Sequence, residues 1–206
     1  PMFHSRLTSA FAAVFIASVL LSACATPDAP VTADVAAKQL SETPLDQARL
    51  LEKQGNFSQA SDLYERTAKM LPYPRSEIWR AKSAELAWRS GQLERSEKLL
   101  KEVDTSALDR TDRAHVSVLQ ARIERQKQNY PGVIQALNFP RENLTRPMQR
   151  QILALLYQAY NRTGDRRGLA QVLIERLNIS SSVNDSNQLW KVLSDFTPQQ
   201  LVSWKS

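Results

Sequence analysis

The sequence predicts an all-α fold, a solenoid of helix pairs resembling tetratricopeptide repeats, and three observations carry that prediction. The composition is rich in Leu, Ala, Gln, Arg, Glu and Ser with only five glycines, apolar residues recur at helical intervals, and a pattern returns about every 36 residues. The pattern is clearest when Gly55-Asn56-Phe57-Ser58-Gln59-Ala60-Ser61-Asp62-Leu63-Tyr64 is laid over Gly91-Gln92-Leu93-Glu94-Arg95-Ser96-Glu97-Lys98-Leu99-Leu100. Two, eight and nine residues after each Gly the side chain is large and apolar; five residues after it the side chain is small, Ala60 or Ser96. A third copy runs from Gln128 through Tyr130, Val133, Ala136 and Leu137, and a fourth from Gly164 through Arg166, Leu169, Val172 and Leu173. The third lacks the Gly and the fourth puts Arg166 at an apolar position, yet the spacing is kept. A glycine that ends one helix in the left-handed conformation, and a small residue that lets the next helix approach, explain the pattern physically.

The elements follow in order. Helices are predicted over Asp46–Gln54, Glu77–Arg89, Thr111–Lys127 and Met148–Arg162, each ending at an anchor and each followed by a second helix. In the last of the four, Ile152, Leu155, Leu156 and Ala159 form one apolar face and Leu153, Tyr157 and Tyr160 a second, as expected of a helix held between neighbours. Thr43-Pro44 and Thr197-Pro198 each place a capping hydroxyl before a proline suited to the first turn, and Asp165 is placed to cap the helix behind Gly164. Pro72 and Pro74 interrupt the first and second units. Residues 44–206 form the helical repeat domain.

Ahead of it lie two shorter regions. His4 and Arg6 precede Leu7 to Leu21, an uncharged run short for a membrane span, and then come the small residues Ser22 and Ala23. Residues 1–23 therefore read as a signal peptide. The chain's one cysteine follows at once, with no second Cys for an internal disulfide, and Leu21-Ser22-Ala23-Cys24 resembles a bacterial lipobox. The resemblance implies cleavage between Ala23 and Cys24, a diacylglycerol on the Cys24 thiol and an N-acyl chain on the new amino terminus. Three acyl chains give a stable membrane anchor where one gives a marginal one. Ala25, where lipoproteins kept at the inner membrane carry Asp, implies delivery to the outer membrane, facing the periplasm. Residues 24–43, polar and weakly periodic, are expected to act as a flexible tether.

The chemistry-bearing residues point away from catalysis. His115 is the one histidine beyond the signal peptide, so neither a Ser-His-Asp nor a Cys-His arrangement can form and zinc-ligand spacing is missing. No Gly-rich phosphate loop occurs; Gly164 and Gly168 merely flank Asp165-Arg166-Arg167. The carboxylate pairs Asp62/Glu65 and Glu94/Glu97 read as solvated helical faces, and Trp79, Trp88, Trp190 and Trp204 as core wedges. Arg162, Arg166 and Arg167 cluster at one turn and Arg141, Arg146 and Arg150 near another; solvent exposure or an anionic partner accounts for either group. The net charge of +6, about +5 without Arg6, suits lipid headgroups or cell-wall polymers and equally a plain soluble surface. The expectation is a protein that is not an enzyme, with no metal, no nucleic-acid partner and no cofactor beyond the acyl groups on Cys24.

A lipobox, a tether and helix pairs that run into Leu189-Trp190-Lys191-Val192-Leu193-Ser194-Asp195-Phe196-Thr197-Pro198-Gln199-Gln200-Leu201 together resemble the amino-terminal half of the LppC/LpoA family. The Trp-x-x-Leu-Ser-x-x-Thr-x-x-Gln pattern from Trp190 to Gln200 and the Gly91 unit carry most of the likeness. It implies an outer-membrane lipoprotein that activates a class A penicillin-binding protein, with peptidoglycan as a further contact. It also implies a second, α/β binding-protein-like domain beyond Ser206 to which docking is chiefly assigned, so no docking residue carries over. The helical part is then expected to serve as a periplasmic scaffold or spacer. The other readings are a scaffold for another envelope complex, such as outer-membrane protein assembly, and the helical domain of a cell-wall lytic enzyme.

Overall fold

The computed structural model describes residues 44–203. Ala23, Cys24, the signal segment, the tether, Thr43 and Trp204 lie outside the described residues. Ten helices follow one another there: α1 (44–53), α2 (Phe57–Met70), α3 (Arg75–Arg89), α4 (Leu93–Lys101), α5 (Arg110–Gln126), α6 (Tyr130–Ala136), α7 (Arg146–Thr163), α8 (Arg166–Ile179), α9 (Val183–Leu193) and α10 (Pro198–Val202). A single 3-10 turn, Thr105–Ala107, interrupts the run between α4 and α5, and no strand occurs among the described residues. The fold is all-helical with neighbouring helices packed in pairs, and α3 also touches α5, which touches α7. The longer helices begin one or two residues ahead of the sequence expectation, because Arg75, Arg110 and Arg146 each continue the first turn set up by the residue before them.

The turns between paired helices share one geometry. Gly55, Gly91 and Gly164 have φ of +80°, +83° and +74°, and Gln128, the anchor without glycine, has φ +62°. In three of them the next residue's N–H bonds back five residues at 2.9 Å: Asn56 to Leu51, Gln92 to Ala87 and Asn129 to Glu124. That bond satisfies carbonyls a helix end would otherwise leave open, and it needs a left-handed residue to form. Behind the fourth anchor Asp165 accepts from the Gly168 N–H at 2.9 Å. At Thr197 a full capping box forms with Gln200, so both caps expected within the described residues are present.

Between the helices the core is divided along the chain. Ala48, Ala60, Tyr64 and Leu86 fill the first interfaces; Ala84, Ala87, Leu99, Leu119 and Ile123 the next; Val133, Leu137, Ile152, Leu153 and Leu156 a larger cluster; and Leu169, Leu173 and Val192 the last. Small residues set the approach. Ala60 and Ser96 are fully buried, and Ser96 Oγ donates to the Ala84 carbonyl at 2.7 Å. Ser61 and Ser83, also fully buried, exchange bonds across α2 and α3: each hydroxyl donates to the other's carbonyl, at 2.9 and 2.8 Å. A Cβ on Gly168 would stand 2.3 Å from the Tyr160 ring, so this glycine is where α8 meets α7.

One expectation about the tryptophans is corrected. Trp79 and Trp88 are half-buried, but Trp190 is 72% exposed, because its position on α9 faces away from α8 while Val192 faces in.

A candidate binding groove on α3 and α5

Because α3 and α5 lie side by side, one face of each is left open, and a groove of about 390 Å³ runs between them with Gln151 of α7 at its margin. Its wall on α5 is a single helical stripe, Asp112, His115, Leu119 and Arg122, spaced three, four and three residues apart. Asp109 fixes the start of that stripe by accepting from the Asp112 N–H at 2.8 Å. On α3 the wall is Ile78, Trp79, Lys82 and Glu85. Trp79 is held flat by Tyr64, ring centroids 5.5 Å apart and planes within 3°, with the Arg49 guanidinium 5.8 Å from its ring. Apolar Ile78, Trp79, Val116, Val118 and Leu119 share the lining with the charged side chains.

Those charges are not equivalent. Lys82 bridges Glu52 at 2.8 Å and Glu85 at 3.1 Å. Burial opposes its charge, and the two carboxylates outweigh burial and hold its pKa above the ordinary lysine value. Arg122 has no carboxylate within ion-pair distance among the described residues; its guanidinium lies 5.1 Å from the Trp88 ring. Burial pushes its pKa down against the pull of Glu85, and Arg125 and Arg89 push the same way as burial. Asp112 has no ion pair among the described residues. Burial raises its pKa, Asp109 adds to the rise, and His115 works against it. The groove thus presents a lone carboxylate at one end and a lone guanidinium at the other. It has no hydroxyl or thiol among its lining residues. Such an arrangement recognises a charged, partly apolar ligand by complementarity.

The residues singled out from sequence fall elsewhere. Arg141 is committed to Glu175 through two bonds of 3.1 and 2.7 Å and to the carbonyls of Leu137 and Phe139. Arg162 lies 6.0 Å from the Tyr130 ring and Arg166 pairs with Asp195 at 3.4 Å, so the two arginine clusters stay on separate turns. Of the four carboxylates read as solvated faces, Glu94 is exposed as expected, but the other three are partners across helix pairs: Asp62 and Glu65 both hold Arg95, and Glu97 holds Lys127. Helical spacing alone cannot reveal this, because each cation comes from a neighbouring unit. His115 is exposed on the groove wall. Asp112, Arg122 and Trp79 were missed as a group, although the three-four-three spacing on α5 was visible in the sequence.

Among the described residues no three metal-ligating side chains converge, and no helix is long and apolar enough to cross a membrane. No family model, no curated protein and no solved structure matches the chain.

Proposed function

We propose that the protein is a non-catalytic outer-membrane lipoprotein that supports peptidoglycan synthesis as a regulator of a class A penicillin-binding protein. Its helical part acts as a periplasmic scaffold, a solenoid resembling tetratricopeptide repeats. The observation that carries the reading is the order of parts: a lipobox at Leu21 to Cys24, a polar tether, and then helix pairs whose turns recur at residues 55, 91, 128 and 164 with a positive φ at each. A repeated pair cannot bury its apolar face alone, so it stacks on its neighbours and leaves an extended side for partners. Acyl chains on Cys24 would hold that array at a membrane while the tether sets its distance. The regulatory role rests on the resemblance to the LppC/LpoA family.

The test uses the full chain, lipidated and kept in non-ionic detergent, with a purified class A penicillin-binding protein and transpeptidase turnover followed in the same samples. Binding with stimulation would place regulatory contacts in the helices themselves. A chain shown by circular dichroism to be folded, yet neither binding nor stimulating, overturns direct regulation by the helices and leaves them as a spacer. The anchor has its own readout: labelled palmitate is incorporated by the wild type and lost in Cys24→Ser.

A further inference from the structure

The groove on α3 and α5 has two half-buried charges of opposite sign on one helix, ten residues apart and without ion partners among the described residues. At a rise of 1.5 Å per residue they stand about 15 Å apart along α5. An extended chain advances about 3.4 Å per residue, so the ends of a five-residue stretch match that separation to within the reach of a side chain. Between the two charges the groove is lined by the half-buried Trp79 and the more deeply set Leu119, with polar groups supplied by His115 and Gln151.

We propose that this groove binds an extended polypeptide of about five residues, a basic side chain set against Asp112, a carboxylate set against Arg122 and an apolar side chain on Trp79 and Leu119 between them. Other occupants match the charge pattern less well. A uniformly anionic polymer would meet the Asp112 carboxylate, and a neutral glycan would leave both charges unanswered. Lys82 and Glu85 do not compete for the ligand's ends, since each is already bonded to the other. The cost of keeping Asp112 and Arg122 charged while part-buried is offset when each gains a partner of opposite charge. The inference is independent of any role in cell-wall synthesis.

Fluorescence anisotropy of end-capped, labelled pentapeptides against the full chain in non-ionic detergent tests it. Lys-Ala-Leu-Ala-Glu is expected to bind about tenfold more tightly than Gln-Ala-Leu-Ala-Glu, Lys-Ala-Leu-Ala-Gln, or Ala-Lys-Glu-Leu-Ala with its charges adjacent. Arg122→Gln should weaken only peptides that end in Glu, and Asp112→Asn only those that begin with Lys. Both variants remove a charge that has no ion partner, and circular dichroism checks that each is folded. No measurable binding at millimolar peptide, equal affinity for all four peptides, or an equal loss for every peptide in both variants would overturn the proposal. The last result would mark the two residues as structural.

Discussion

Glu77 shows how much a single side chain can hold. It is almost fully buried at the start of α3, where it accepts from the Asp104 N–H at 2.7 Å, from Ser76 Oγ at 3.0 Å and from Arg80 at 3.0 Å. Arg80 in turn donates to the Glu102 carbonyl at 2.8 Å, so one carboxylate fixes the loop behind α4 to the helix before it. Glu77→Ala takes the carboxylate from a part-buried guanidinium, which keeps only the Glu102 carbonyl, and leaves the Asp104 N–H without its acceptor, and should cost about 3 kcal/mol in denaturant unfolding. Two other carboxylates give opposite pH signatures. Hydrogen bonds from Lys69 and Arg95 depress Glu65 below its ordinary value of 4.5, so its contribution is present above that pH and is lost as pH falls through the lowered pKa. Glu65→Gln should flatten the acid limb of a Tm against pH plot. For Asp112 the folded pKa is raised from 3.8, so stability present below that value is lost as pH rises through the higher one. Asp112→Asn is therefore expected to raise Tm at pH 7 and leave it unchanged in acid, the behaviour of a residue kept for recognition at a cost in stability.

At the scale of the element, the sequence is most legible where the physics is local. A left-handed turn and an N-cap depend on a few adjacent residues, which is why Gly55, Gly91, Gly164, Asp165 and Thr197 could be read directly. Gln128 occupies the same turn without glycine's freedom, and a side chain in that conformation costs on the order of 1 kcal/mol. Gln128→Gly should then stabilise the protein by up to about that amount in a urea melt, less the added flexibility of the unfolded chain. Gly168 was not legible in this way. In the sequence it merely flanks two arginines, whereas its constraint comes from the Tyr160 ring on another helix. Gly168→Ala forces that ring to move and should destabilise by about 1–3 kcal/mol, although alanine is the better helix former. Both effects are read by equilibrium unfolding.

For the molecule as a whole, the all-helical class was legible because a helix-rich composition and helical intervals are properties of one chain read end to end. The groove was not, because it exists only where α3 and α5 come together. Its Asp112 and Arg122 look like ordinary surface charges until the neighbouring helix removes part of their water. The same reason hid Ser61 and Ser83, whose 22-residue separation gives no sign that their hydroxyls exchange bonds.

The division of the core into separate clusters between successive helices has a mechanical side. Pulled from its ends, such a run of helix pairs passes the same load through every interface in turn, so the interface that resists least opens first. Each helix pair resists with its own cluster, so extension would proceed as a staircase of modest force steps, the larger cluster around Ile152 and Leu156 among the late ones to yield. A body built this way stretches and recovers by parts.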